Sequence, residues 1–110
     1  MSDPYFIAIQ DQWANIRSLY MMYESKKPII LYDIQEDKIY AYPYKEFKAE
    51  LSKKSQASLE HDYKSASTTG RMVVFVRDNR ERKLVSYTIS IDTCSGSWLH
   101  LDDQDRGSPF

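Results

Sequence analysis

Three tyrosines at alternate positions, Tyr40, Tyr42 and Tyr44, are the residues of this chain best suited to contact a ligand or a partner. They lie in the segment KIYAYPY, whose β-branched and aromatic residues predict a strand. Alternate residues of a strand point to the same side of a sheet, so the three rings would line one face. A tyrosine ring combines apolar area with a polar hydroxyl, which suits both base stacking and a protein interface.

Patterns typical of catalytic or metal sites are not evident. His61 adjoins Asp62 in a predicted helix, where neighbouring side chains point about 100° apart and do not pair. Cys94 is the single cysteine, with no histidine near it in sequence. The acidic segment after His100 lacks the spacing of a Ca²⁺-binding loop. We therefore predict a protein that is not an enzyme, with no catalytic residues, no cofactor and no metal.

Basic residues cluster around the segment RDNRER and offer a contact for phosphates, which arginine binds through paired hydrogen bonds. They are Arg71, Arg77, Arg80, Arg82 and Lys83. Residues 45–91 hold ten basic and six acidic side chains, but the whole chain has a net charge of −1. This balance excludes a strongly basic domain, and a solvated turn with local ion pairs explains the same residues.

The first predicted element of the chain is a helix. Asp3 is a suitable N-cap and Pro4 fits the first helical position. Apolar residues then recur at helical spacing as far as Lys26 and Lys27, and Pro28 ends the run. A second helical stretch, residues 45–67, is interrupted near residues 52–55.

One predicted hairpin follows each helical stretch. PIILYDI and KIYAYPY form the first, and a pairing of Ile34 with Ile39 separates its two faces. One face is uncharged and suits a core, and it carries Ile30, Tyr32, Ile34, Ile39 and Ala41. The other face carries Ile29, Leu31 and Asp33 with the three tyrosines. MVVFV and KLVSYTISI form the second hairpin, with Arg77 opposite Arg82.

The predicted fold class is α+β, with the order α-ββ-α-ββ and a four-stranded antiparallel sheet packed against helices on one face. A chain of 110 residues suits one domain, which we place at 1–91, followed by a polar, acidic and mobile tail at 92–110. No apolar run is long enough to span a membrane. The single cysteine and the absence of an export signal predict a cytoplasmic protein.

Helices on one face would leave the opposite face of the sheet uncovered, as an apolar patch for a partner. The predicted partner-binding residues are Ile29, Leu31, Tyr40, Tyr42 and Tyr44. The first hypothesis is thus an interaction module for protein association, most simply a homodimer. The alternative is single-stranded nucleic-acid binding, with bases stacked on the tyrosines and the basic residues on phosphates. A further alternative, an enzyme acting on a small molecule, has no identifiable catalytic set, and no motif in the chain identifies a family.

Overall fold

Five strands form one mixed sheet in the computed structural model, which describes residues 3–92 and 94–100. In chain order they are β1 (Ile29–Asp33), β2 (Lys38–Tyr42), β3 (Arg71–Asp78), β4 (Lys83–Ser90) and β5 (Gly96–His100). Their spatial order is β2-β1-β3-β4-β5. β1 and β3 run parallel, and every other neighbouring pair is antiparallel.

The prediction of a fully antiparallel sheet is therefore wrong at its centre. The two hairpins are present, but the chain between them forms two helices, and this crossover returns it to the same end of the sheet. β3 consequently starts beside the start of β1 and runs in the same direction. β5 adds a fifth strand from within the predicted tail, whereas residues 101–110 lie outside the described part of the chain.

The predicted start of the first helix and the two-part second stretch are confirmed, but the first helix is not continuous: it is interrupted at Gln12, and its last turn is a 3₁₀ helix. The helices are α1 (Pro4–Asp11), α2 (Trp13–Met22), a 3₁₀ helix (Glu24–Lys26), α3 (Tyr44–Ala49) and α4 (Lys53–Thr68). The Asp3 cap is confirmed, because its carboxylate accepts a hydrogen bond of 2.8 Å from the backbone N–H of Tyr5. The interruption before α4 is confirmed as well, and the Ser52 hydroxyl caps that helix. None of the helices in the described chain is long and apolar enough to cross a membrane.

Helices cover both faces of the sheet, which corrects the prediction of helices on one face. α1 and α2 pack on one side and contribute Tyr5, Ile9, Ile16 and Tyr20 to a core with Ile30, Tyr32, Val74, Val76, Val85 and Tyr87. α3, α4 and the loop between them pack on the other side and contribute Phe47, Leu51, Leu59 and Ala66 to a second core with Ile29, Leu31, Val73, Phe75 and Leu84. Alternate residues of β1 enter opposite cores, so this strand is buried on both sides.

The assignment of residues to the two faces of the first hairpin is confirmed for the residues that lie in its strands, although the registers of both hairpins differ from the prediction by two residues. Ile39 pairs with Tyr32 rather than with Ile34, and Arg77 pairs with Leu84 rather than with Arg82. Side chains on a strand alternate with a period of two, so a shift by two residues leaves every side chain on its predicted face.

Candidate functional site

The predicted partner-binding residues do not form one surface in the structure. Ile29 and Leu31 are completely buried beneath α3 and α4, so they do not form a surface for a partner. Tyr44 is the first residue of α3, because Pro43 ends the strand and the chain turns into the helix. Tyr40 and Tyr42 remain in β2 as half-buried side chains, with tilted rings whose centroids lie 6.0 Å apart. A flat, open row of three rings is thus not present.

A groove of about 470 Å³ opens instead at the carboxyl end of β2, and we call it the edge groove. It is lined by Tyr23, Lys26, Pro28, Ala41, Tyr42, Pro43, Tyr44, Lys45 and Tyr63. These residues come from the 3₁₀-helix region, the end of β2, the start of α3 and the middle of α4. Two of the three predicted tyrosines, Tyr42 and Tyr44, therefore contribute to one concave surface beside an outer strand of the sheet.

The wall of the edge groove is held in place by Tyr63. Its ring stacks on that of Tyr44, with centroids 3.9 Å apart and an angle of 18° between the planes. Its hydroxyl donates a hydrogen bond of 2.6 Å to the backbone carbonyl of Lys27, which has a left-handed backbone conformation (φ 46°). Burial raises the pKa of Tyr63 above its ordinary value, so the hydroxyl keeps its proton and donates further into the alkaline range. α4 is thereby tied to the segment that precedes β1.

The charges of the edge groove have one sign. Lys26 and Lys45 are its charged lining residues in the described chain, and no carboxylate lines it. Lys48 lies nearby, with its ammonium 5.9 Å from the centre of the Tyr44 ring, but it forms an ion pair with Glu60. Aromatic rings with two cations favour an occupant that combines an apolar part with a negative charge.

Two exposed carboxylates, those of Glu36 and Asp37, stand at the opposite end of β2, in the turn that follows β1. The buried carboxylate of Asp33 accepts a hydrogen bond of 3.0 Å from the backbone N–H of Glu36. The Tyr32 hydroxyl donates to Asp37 at 2.8 Å, and the Tyr40 hydroxyl donates to Glu36 at 2.7 Å. Burial, followed by the bond to Asp37, raises the pKa of Tyr32 to about 12. The bond to Glu36 is the main cause of the raised pKa of Tyr40. The acidic turn is thus a fixed structure.

The predicted basic residues do not form one surface. Arg77 binds the buried Asp33 carboxylate, with its Nε at 2.8 Å and its Nη2 at 2.5 Å from Oδ2. Arg71 lies at the start of β3, about 23 Å along the strand from the turn that holds the remaining three cations. Those three, Arg80, Arg82 and Lys83, are exposed at the hairpin connecting β3 and β4. The tyrosines of the edge groove lie at the other end of the sheet.

A polar cluster around the buried Asp78 joins the two hairpin turns. The Gln35 side chain donates to Asp78 at 2.7 Å and accepts a bond of 2.7 Å from the backbone N–H of Asn79. Burial of Asp78 favours its neutral form, but hydrogen bonds from Glu81, Gln35 and Tyr5 outweigh burial and lower its pKa. These hydrogen bonds hold the two turns together.

The other residues weighed for chemistry stay apart. His61 is exposed on α4, and Cys94 is half-buried, with its pKa raised by burial. No group of three residues able to hold a metal ion occurs in the described part of the chain. Sequence reasoning missed Tyr23, Lys26, Lys45 and Tyr63, which converge only in the folded chain.

Fold and site together define a three-layer α+β domain with an aromatic, positively charged groove at one edge of its sheet. Comparison of the chain with known protein families, curated proteins and solved structures finds no significant match. The functional argument therefore depends on the geometry of the groove and of the strand beside it.

Proposed function

We propose that this protein is a non-enzymatic interaction module that binds a protein partner along the outer edge of β2 and in the edge groove. The observation that carries the proposal is the position of the groove at the end of an outermost strand. An extended segment that pairs with an edge strand gains main-chain hydrogen bonds, and adjacent pockets receive its side chains and provide specificity.

The dimensions and rigidity of the site support binding. A volume of about 470 Å³ lies in the range of 300–1,000 Å³ that is typical of ligand sites. The stacked pair of Tyr44 and Tyr63 and the bond from Tyr63 to the Lys27 carbonyl fix the wall before a partner arrives. A pre-formed site spends less free energy on ordering its own side chains, which favours affinity.

Protein association fits the geometry better than the two alternatives. Nucleic-acid binding by base stacking requires exposed rings beside cations, but Tyr40 and Tyr42 are half-buried and most of the predicted cations lie at the other end of the sheet. A small-molecule enzyme would be supported by a histidine beside a carboxylate in the pocket. The described lining of the edge groove holds lysines, tyrosines and prolines, which provide contact area and positive charge.

A peptide-display selection on the purified protein tests the proposal. Peptides that bind should perturb the backbone amide signals of β2 in NMR spectra, and Lys45→Glu should weaken their binding by about tenfold. Lys64→Glu, on the exposed side of α4, is the matched control and should leave the affinity unchanged. Selected peptides that bind both variants equally, or that perturb only other parts of the chain, would exclude the edge groove as the partner site.

A further inference from the structure

Building on the proposed function, we infer that the partner is a second copy of this chain. Two β2 strands pair antiparallel about a two-fold axis, and the acidic turn of each copy, Glu36–Asp37, packs against the edge groove of the other. The inference names the occupant of the site and adds residues of the partner copy to it.

The direction of β2 makes the two surfaces meet. The acidic turn directly precedes Lys38, the first residue of the strand, and the edge groove begins at Tyr42, its last. An antiparallel pair related by a two-fold axis places the start of each strand beside the end of the other. With the axis at Tyr40, Glu36 of each copy lies level with Tyr44 of the other, next to Lys45.

The charges of these two surfaces are complementary. Each edge groove presents Lys26 and Lys45, and each turn presents Glu36 and Asp37. The two-fold axis makes this contact twice, so one pattern of charge supplies both attraction and register. Main-chain pairing alone would not fix the register of so short a strand.

The acidic turn is already ordered for such a contact. Glu36 is held through its backbone N–H by Asp33, and through its carboxylate by the Tyr40 hydroxyl. Asp37 is held by Tyr32 and by the side-chain amide of Gln12, at 2.9 Å. A carboxylate has acceptor sites for several donors, so a lysine can bind each group while these bonds persist. Association would then restrict the motion of the lysine side chains and of few other groups.

Exposed apolar side chains lie next to the same surface. Met21, Met22 and Tyr23 are 47%, 70% and 38% exposed, and Tyr23 lines the edge groove. Met21 and Met22 directly precede Tyr23 in the chain, and consecutive exposed apolar residues of this kind are typical of a surface that a partner covers. Because both copies use their β2 edge, this assembly closes at two chains.

Light scattering coupled to gel filtration tests the inference through a charge swap. The unmodified chain, of 13.0 kDa, should have twice that mass at micromolar concentration. Lys45→Glu and Glu36→Lys should each raise the dimer dissociation constant by at least about tenfold, because like charges then meet twice per dimer. An equimolar mixture of the K45E and E36K proteins should restore the dimer mass, since every contact between the two is again attractive.

Matched controls and outcomes separate this inference from the proposed function. Lys64→Glu and Glu81→Lys change the same charges at exposed positions outside the interface and should leave the dimer intact. If circular dichroism shows that E36K disturbs the fold, the mixing experiment is done with Asp37→Lys and K45E instead. A monomeric unmodified chain, or a mixture that stays monomeric, overturns the dimer. If display peptides still bind at Lys45 in that case, the proposed function stands, and if they do not, both proposals fail.

Discussion

Arg77→Met should destabilise the fold more than any exposed charge substitution, because it isolates a buried carboxylate. Asp33 is fully buried, and its Oδ2 accepts two hydrogen bonds from Arg77. Methionine retains much of the apolar volume of arginine but supplies neither the charge nor the donors. The bond from the Glu36 backbone N–H to Oδ1 would remain, but the buried carboxylate would lose the cation that pairs with it.

The size of this effect follows from the burial of the pair. Removal of one partner from a buried ion pair costs about 3–5 kcal/mol, because the other charge stays desolvated without compensation. Small domains have unfolding free energies of about 5–15 kcal/mol, so the loss is a large part of the total. With a urea m-value of about 1–3 kcal/mol/M, the unfolding midpoint should fall by at least about 1 M.

Urea unfolding followed by tryptophan fluorescence measures this loss. Arg80→Met is the matched control, because Arg80 is exposed in the neighbouring turn, and its substitution should change stability by no more than about 0.5 kcal/mol. Asp33→Asn combined with Arg77→Met should recover part of the loss, since asparagine still accepts from Glu36 but carries no charge. Equal stability of the Arg77 and Arg80 variants, or a double variant less stable than Arg77→Met, would refute the argument.

Three further outcomes test the described contacts. Because the pKa of Tyr32 is raised to about 12, the contribution of this tyrosine to the unfolding free energy should be complete below about pH 10, where an unfolded tyrosine ionises, and should be lost between about pH 10 and 12. Urea unfolding at pH 9 and 11 should show a smaller fall for Tyr32→Phe. Tyr63→Phe removes only the bond to the Lys27 carbonyl and should cost about 1 kcal/mol, measured in urea, while Tyr63→Ala should cost more. Gly96→Ala would drive a methyl group into the Thr88 carbonyl, so hydrogen exchange should show β5 detaching from β4, and unchanged protection would contradict this contact.

The parts of the fold predicted from sequence are those set by local periodicity. Alternation along each strand separates the residues of the two cores, and it remains correct although both registers differ by two residues. Capping chemistry likewise marks the start of α1, since the Asp3 carboxylate needs only the N–H groups of the next turn. These features depend on residues close together in the chain.

The parallel central pair depends on contacts between distant segments, but the sequence contains a sign of it. Ile29–Tyr32 and Met72–Val76 are continuous apolar runs, and strands of this kind are usually buried on both faces. The prediction of helices on one face of the sheet left one side of each run exposed to solvent. Complete burial of β1 requires helices on both sides, which the two helical stretches provide.

Pro43 explains why the candidate site lies at an edge of the sheet and not on its face. By ending β2, it moves Tyr44 from the predicted row of rings into α3, where Tyr44 stacks on Tyr63. The same turn brings Phe47 over Tyr42, with ring centroids 6.1 Å apart, and closes the sheet face that the sequence left open. What stays accessible is the outer edge of β2, with the lysines of the groove at one end and the carboxylates of the turn at the other. Under the proposed function, a partner would approach along the strand edge, and the complementary charges at the two ends of the strand favour a second copy of the same chain.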